Sequence, residues 1–334
     1  MKIVFITQKP SSPSFQFYRK AFSKLIKLDD IKKIDFITTK YKDNIFLKYD
    51  IVIFMGGSIR KDYAKMINAK IKIVVIDSRA GHYDDLSNID LLICNSLEMQ
   101  ILHQHLETDF FVYPTYPLVP NSTFEKASKD KILLGYHGNK VHLETMYPRI
   151  SKAIYNLSFD YKIEFLAMYN IEKFKKSKII SENNFGCKII HLNYSYENYK
   201  KISEVDIGLV PQLIPYLDNF FSRSFLKKYN ESSNDYILRF KDTNNIGRHL
   251  VFAQYKIPVI TDMTPSSCQL IEHGENSYFA YSEKSWKNLI EILIKNKQKR
   301  IQMGKNFYLK WKENYSHDLL NNMLLKKLKK ICKN

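Results

Sequence analysis

Cysteine is scarce, and its placement excludes more than its number. Cys94, Cys187, Cys268 and Cys332 show no metal-ligand spacing, and three lie in or beside apolar runs where a thiol acts as a small hydrophobe. A reducing, cytoplasmic setting is expected. Long apolar stretches are also lacking: eighteen uninterrupted apolar residues occur nowhere, and "MKIVFIT" is a strand-length run too short for a signal sequence. The expectation is a soluble protein, or one resting on a membrane surface. Acidic residues are in deficit, 34 against 52 Lys and Arg, for a net charge of +18. That balance suits phosphates, nucleic acids or anionic lipid. Lys in company with abundant Ile, Asn and Tyr is also what an AT-rich coding sequence produces, so charge alone does not choose.

Three motifs are missing as well. No G-x-G-x-x-G follows the first strand of either half, where "FITQKPSSPS" and "LGYHGNKVHL" stand instead, and this sets aside dinucleotide chemistry. "FMGGSIRK" has the wrong spacing for a phosphate-wrapping P-loop. No Asp-x-Asp is present to hold a divalent ion, and the acidic pair Asp84 and Asp85 is not one.

What the sequence does contain is a twofold series of short β-rich apolar runs separated by helical patterns. "KIVFIT", "KIDFIT", "DIVIFM", "KIKIVVID", "DLLICNS" and "DFFVY" fill the first third. "KILLGYHGN", "YKIEFLA", "CKIIHL", "VDIGLVP", "IPVITD" and "SYFAYS" repeat the pattern after a Pro-rich join marked by Pro114, Pro117 and Pro120. A chain of 334 residues, 45% hydrophobic, has room for two full cores. The pattern predicts an α/β protein of two Rossmann-like doubly wound domains facing a central cleft. Expected bounds are 1–120 for the first domain, 121–305 for the second and 306–334 for terminal helices. In the tail, Leu319, Leu320, Met323, Leu324, Leu328 and Ile331 alternate with lysines at helical spacing, which favours packing with some attraction to anionic membrane.

The order "ILLGYHGNKVHLETMYPRISKAI", "VDIGLVP", "KDTNNIGRHLVFAQYKIPVITD" and "CQLIEHGENSYFAYS" resembles the donor domain of the large retaining family of GT-B glycosyltransferases. The likeness covers roughly residues 130 to 300, and it implies that 1–120 is the acceptor-side domain, that 121–305 is the donor domain and that the terminal helices of 306–334 pack back toward the first domain. It implies a nucleotide-sugar donor, no cofactor and no metal, because protein groups neutralise the diphosphate. There is a departure: the places of the family's paired Glu residues fall on Thr243 and Val251, and a third motif Glu is replaced by Gln269. Neither Thr243 nor Val251 can accept two ribose hydroxyls as a carboxylate does, which implies a distant branch.

The residues themselves point the same way. His137, Gly138 and Asn139 close a strand before a helix whose apolar positions are Leu143, Met146, Ile150, Ala153, Ile154 and Leu157. Lys241, Asn245 and Arg248 load a helix start with cations and amides, opposing the helix dipole unless an anion is held there. Thr261, Asp262 and Thr264 fall in a segment that resembles the family's loop before its E-x-G-x-N-G turn, and the resemblance implies that they meet sugar hydroxyls. On the acceptor side, His82 is the first candidate for a general base and Asp77 the second, with Arg79, Lys9, Ser12 and Arg19 as acceptor-binding candidates.

The function expected is metal-independent transfer of a hexosyl or related group from a nucleotide-sugar to a hydroxyl of a surface glycan such as capsule or lipopolysaccharide. Expected partners are that donor, a glycan or lipid-linked acceptor and an anionic membrane surface, with no nucleic acid. Two alternatives remain. One is a non-catalytic nucleic-acid-binding protein, which has charge in its favour but no helix-turn-helix, zinc or aromatic RNA-binding signature. The other is a GT-B-shaped nucleotide-sugar epimerase, whose hydrolytic chemistry needs more acidic groups than the donor segment offers.

Overall fold

The structure, a computed structural model, describes residues 1–7, 9–28, 30–38, 45–55, 63–77, 86, 88–119, 130–215, 238–239 and 244–333. The chain divides into two compact units: Met1–Tyr116 with Asp242–Gly247 and Lys312–Asn334, and Pro117–Lys241 with Arg248–Trp311.

In the first unit, β1 (Lys2–Thr7), β2 (Lys33–Ile37), β3 (Ile51–Met55), β4 (Lys72–Ile76), β5 (Leu91–Cys94) and β6 (Asp109–Val112) form a parallel sheet in the order β2-β1-β3-β4-β5-β6. The helices here are α1 (Pro13–Phe22), α2 (Tyr63–Asn68) and α3 (Leu97–Leu102). The central strands β3 and β5 are apolar and buried at every position because both faces are covered, whereas the edge strand β2, Lys-Ile-Asp-Phe-Ile, has no fully buried residue. Ile3, Phe5, Ile51, Ile53, Val74, Ile76, Leu91 and Ile93 face one core, and Val4, Ile6, Val52, Phe54, Ile73, Val75 and Leu92 face the other.

The second unit's sheet consists of β7 (Ile132–His137), β8 (Ile163–Tyr169), β9 (Lys188–Asn193), β10 (Ile207–Val210), β13 (Val259–Thr261) and β14 (Tyr278–Phe279). Its order, β14-β13-β10-β7-β8-β9, is that of a doubly wound sheet that reverses beside its first strand. The short strands β11 (Ile214–Pro215) and β12 (Leu238–Arg239) pair antiparallel beyond it. Helices α4 (Lys140–Glu144), α5 (Arg149–Leu157), α6 (Ile171–Phe174), α7 (Glu182–Phe185), α8 (Tyr199–Ile202), α9 (Gly247–Gln254), α10 (Pro265–Leu270), α11 (Glu283–Lys295) and α12 (Lys297–Asn314) follow in chain order.

The apolar stripe expected for one helix after β7 is buried as expected but is spread over α4, the turn carrying Met146 and α5. Pro148 stands between the two helices and has no N–H to continue a helical ladder. The last helix, α13 (His317–Lys333), lays Leu320, Leu324, Leu328 and Ile331 into the first unit's core. Several of its cations are paired within that unit: Lys329 with Asp30, and Lys327 and Lys330 with Asp109 at 3.8 and 3.0 Å. Among the described residues no helix is long and apolar enough to cross a membrane.

Candidate functional site

In the second sheet the chain first winds from β7 through β8 to β9, then crosses back to β10, β13 and β14. The connections leaving β7 and β10 therefore diverge, and in a doubly wound sheet the carboxyl ends of two such strands are where a ligand crevice lies. Their register pairs Gly208 with Gly135. A Cβ at Gly208 would come within 2.9 Å of the Phe252 ring, so the missing side chain lets α9 rest directly on β10. Arg248 lies one turn before Phe252, at the strand's end. Its Nη1 donates to the Pro211 carbonyl at 2.7 Å, and its guanidinium carbon lies 5.8 Å from the centre of the Tyr136 ring.

Gly138 makes room for this arginine. Its φ of +137° suits glycine, and a Cβ there would stand 2.7 Å from Arg248 Cδ. Arg248 remains partly exposed, so a planar, permanently charged fork is offered at the crevice. Asn139 is exposed beside it and caps α4 by accepting from Val141 N at 3.0 Å. His137 has another role: only 3% exposed, it packs against Tyr199 and Phe252, with Nε2 3.0 Å from the Arg248 carbonyl. A carbonyl only accepts, which assigns the proton to Nε2. Burial pushes the imidazole pKa down to about 3, against a partial rise from that carbonyl bond, and the Arg248 charge lowers it further. His137 is thus neutral near pH 7 and orients the first turn of α9 rather than balancing an anion.

The end of β13 carries three of the expected sugar-contact residues, and the geometry gives them internal partners. Thr261 is fully buried, donates to Val210 O at 2.9 Å and meets His249 Nε2 at 2.8 Å. Asp262, also fully buried, accepts from Gln212 N at 2.9 Å and Leu213 N at 3.1 Å. It pairs with Arg149 of α5 through Nη1–Oδ1 at 2.8 Å and Nη2–Oδ2 at 3.1 Å. Thr264 caps α10 in a reciprocal arrangement with Ser267 and donates to Gln212 Oε1 at 2.8 Å. These side chains form a framework under the crevice rather than its surface. Arg149, Pro211 and Gln212 were not singled out from the sequence. The available signal was a Pro-Gln step after a buried strand and an Arg inside an apolar stripe.

In the first unit, Asp77 directly follows β4 with φ +54°, is 4% exposed and accepts from Asn95 Nδ2 at 2.6 Å. A non-glycine residue held in that region by a buried partner is the kind of strain found at functional sites. Ser12 caps α1 through Phe15 N, Lys9 is exposed, and the exposed Arg19 lies over Phe36 at 5.8 Å. Asn245 accepts from Gly247 N at 2.6 Å, turning the chain into α9. His82, Arg79 and Lys241 lie outside the described residues. Among the described residues no three His, Cys, Asp or Glu side chains are grouped to hold a metal ion.

No family model and no curated protein matches the sequence. Solved structures do match in three dimensions. A glycosyltransferase from Rickettsia africae superposes with a TM-score of 0.70 at 12% identity, covering 100% of this chain and 99% of that one. The chain has the GT-B fold. HepE of Anabaena, in complex with UDP, gives 0.63 at 12% identity over 99% of this chain and 100% of its own. TarM of S. aureus, whose complex holds fondaparinux, a GlcNAc-glycerol and UDP, gives 0.56 at 13% over 85% of this chain and 55% of its own. The expected α/β class is met, with two doubly wound parallel sheets and the reversal in the second at β7 and β10.

Proposed function

We propose that this protein is a glycosyltransferase that moves a sugar from a nucleotide-sugar to a hydroxyl of a glycan acceptor without a metal ion. The observation that carries the reading is Arg248, partly exposed and seated over Gly138 at the reversal point of the second sheet. Structures of this fold include HepE with UDP-glucose and a pneumococcal O-GlcNAc transferase with UDP and GlcNAc. In the transfer, the acceptor oxygen bonds to the anomeric carbon while the bond from that carbon to the phosphate oxygen breaks. The electron pair leaves with the diphosphate, and Arg248, supported by Lys241 and the α9 start, stabilises the growing charge. The acceptor proton passes to a base, for which His82 and Asp77 are the candidates. Lys9, Ser12, Arg19 and Arg79 serve the acceptor. The excess of 18 positive charges favours work at an anionic membrane surface on a lipid-linked or surface glycan.

Thermal-shift measurements with UDP, GDP, CMP and dTDP sugars test the reading. A ligand at 100 times its dissociation constant stabilises by about 2.7 kcal/mol. One nucleotide giving a large shift, with duplex DNA giving none, is the expected result. Stabilisation by DNA alone would overturn it in favour of a nucleic-acid-binding protein.

A further inference from the structure

We infer that Arg149 is a positioning residue for Arg248 and sets how firmly the crevice grips an anion. The inference rests on the proposed function only in taking a nucleotide diphosphate as that anion. Five contacts join the two arginines. Arg149 holds both oxygens of Asp262, and Asp262 Oδ2 accepts from the backbone of Gln212 and Leu213. Pro211 immediately precedes these residues, and its carbonyl receives Arg248 Nη1. β10 ends at Val210, and Pro211 has no N–H of its own. The direction of its carbonyl is therefore governed by how the next two N–H groups are held, and Asp262 holds them.

The burial of the pair supports a positioning role. Arg149 is 3% exposed and Asp262 fully buried, an arrangement whose desolvation offsets much of its attraction. Arg149 is itself clamped: its guanidinium lies 6.0 Å from the Tyr281 ring and 5.9 Å from the Trp286 ring, and Nη1 donates to the Tyr281 carbonyl. It cannot reach a ligand from there, so its effect on binding must travel through Asp262. The planar fork matters because it fixes both carboxylate oxygens, whereas a lysine restores charge at a single point.

A double-mutant cycle read by UDP calorimetry tests this. Arg149→Lys keeps Asp262 neutralised. It is expected to weaken UDP binding by about 5- to 10-fold in the wild-type background and by less than about 2-fold beside Arg248→Ala, while lowering Tm equally in both. Asp262→Asn, which keeps an acceptor oxygen and the side-chain shape, should repeat the pattern and serves if Arg149→Lys folds poorly. Equal losses of affinity in both backgrounds, or a lower Tm with unchanged affinity, would overturn the inference and leave Arg149 a structural partner. If the wild type binds no UDP, the functional reading falls but this one is still decided. Faster hydrogen exchange at the Arg248 guanidinium in Arg149→Lys than in wild type, followed by NMR, would uphold it, and unchanged exchange would end it.

Discussion

Lowering the pH from 7.5 to 5.5 should destabilise each unit, the second in part through buried His137 and the first in part through buried His317. His137 of the second unit is 3% exposed and His317 of the first is 2% exposed. Burial pushes each pKa down to about 3; for His317 the nearby Lys24 charge lowers it further and Asp318 opposes. His317 Nδ1 is buried without a hydrogen-bond partner, and the ring lies 4.3 Å from that of Tyr116. An unfolded histidine titrates near 6.5. Between about 6.5 and 3 the unfolded chain therefore binds a proton that the folded chain refuses. The contribution is fully present above 6.5 and is lost as the pH falls. The slope is about 1.4 kcal/mol per pH unit for each group, so pH 5.5 should cost each unit about 1.4 kcal/mol, or about 3 to 6 °C in Tm.

Calorimetry across pH 7.5 to 5.5 measures this above the range where most carboxylates titrate. His317→Phe keeps an aromatic ring beside Tyr116 and should flatten the first unit's dependence, and His137→Gln should do so for the second. A Tm independent of pH in the wild type, or slopes undiminished in both variants, would refute the argument that burial keeps these rings neutral.

Other outcomes follow from the site itself. Gly138→Ala must accommodate a Cβ 2.7 Å from Arg248 Cδ at a φ of +137°, and should lose UDP affinity. Gly135→Ala, whose Cβ meets Val205 at 2.4 Å, should lower Tm with affinity largely kept. Nucleotide affinity should fall in the order Arg248, Lys, Ala, by about 1.5 to 3 kcal/mol overall, and the Ala variant should also lose about 1 kcal/mol of stability with the Pro211 contact; normal binding in Arg248→Ala would remove the arginine from the donor site. Transfer activity should survive EDTA, and complete loss restored by manganese would contradict a metal-independent mechanism.

The main strands were legible because a buried parallel strand is apolar at every position, as in "IVIFM", and helices break the series at regular intervals. β11 and β12, two residues each, have no such period to detect. Arg248 was legible as a cation at the end of a helix that already repels it. Arg149 was not, because an arginine next to Ile150 ordinarily reads as solvated, and its partner lies 113 residues further along the chain. Thr261 and Asp262 stood out as polar residues after a strand, but only coordinates could show that their polar atoms turn inward. Sequence position places a side chain at a strand end; packing decides which way it points.

The departure from the paired-Glu pattern supplies one more test. Thr243 lies outside the described residues, but Val251 is in α9 and fully buried. A carboxylate there would lose its hydration and cost several kcal/mol unless a ligand or cation met it, whereas valine packs without such a demand. If this chain grips ribose from the crevice surface instead, Val251→Glu should lower Tm and leave UDP affinity no better than wild type. If the site retains the family's geometry and has merely lost the group, UDP should bind more tightly to the variant and restore much of its stability, because a ribose would then satisfy the buried carboxylate. Calorimetry of Val251→Glu with and without UDP separates the two: ligand-driven rescue would refute the view that the donor grip has been rearranged around Arg248.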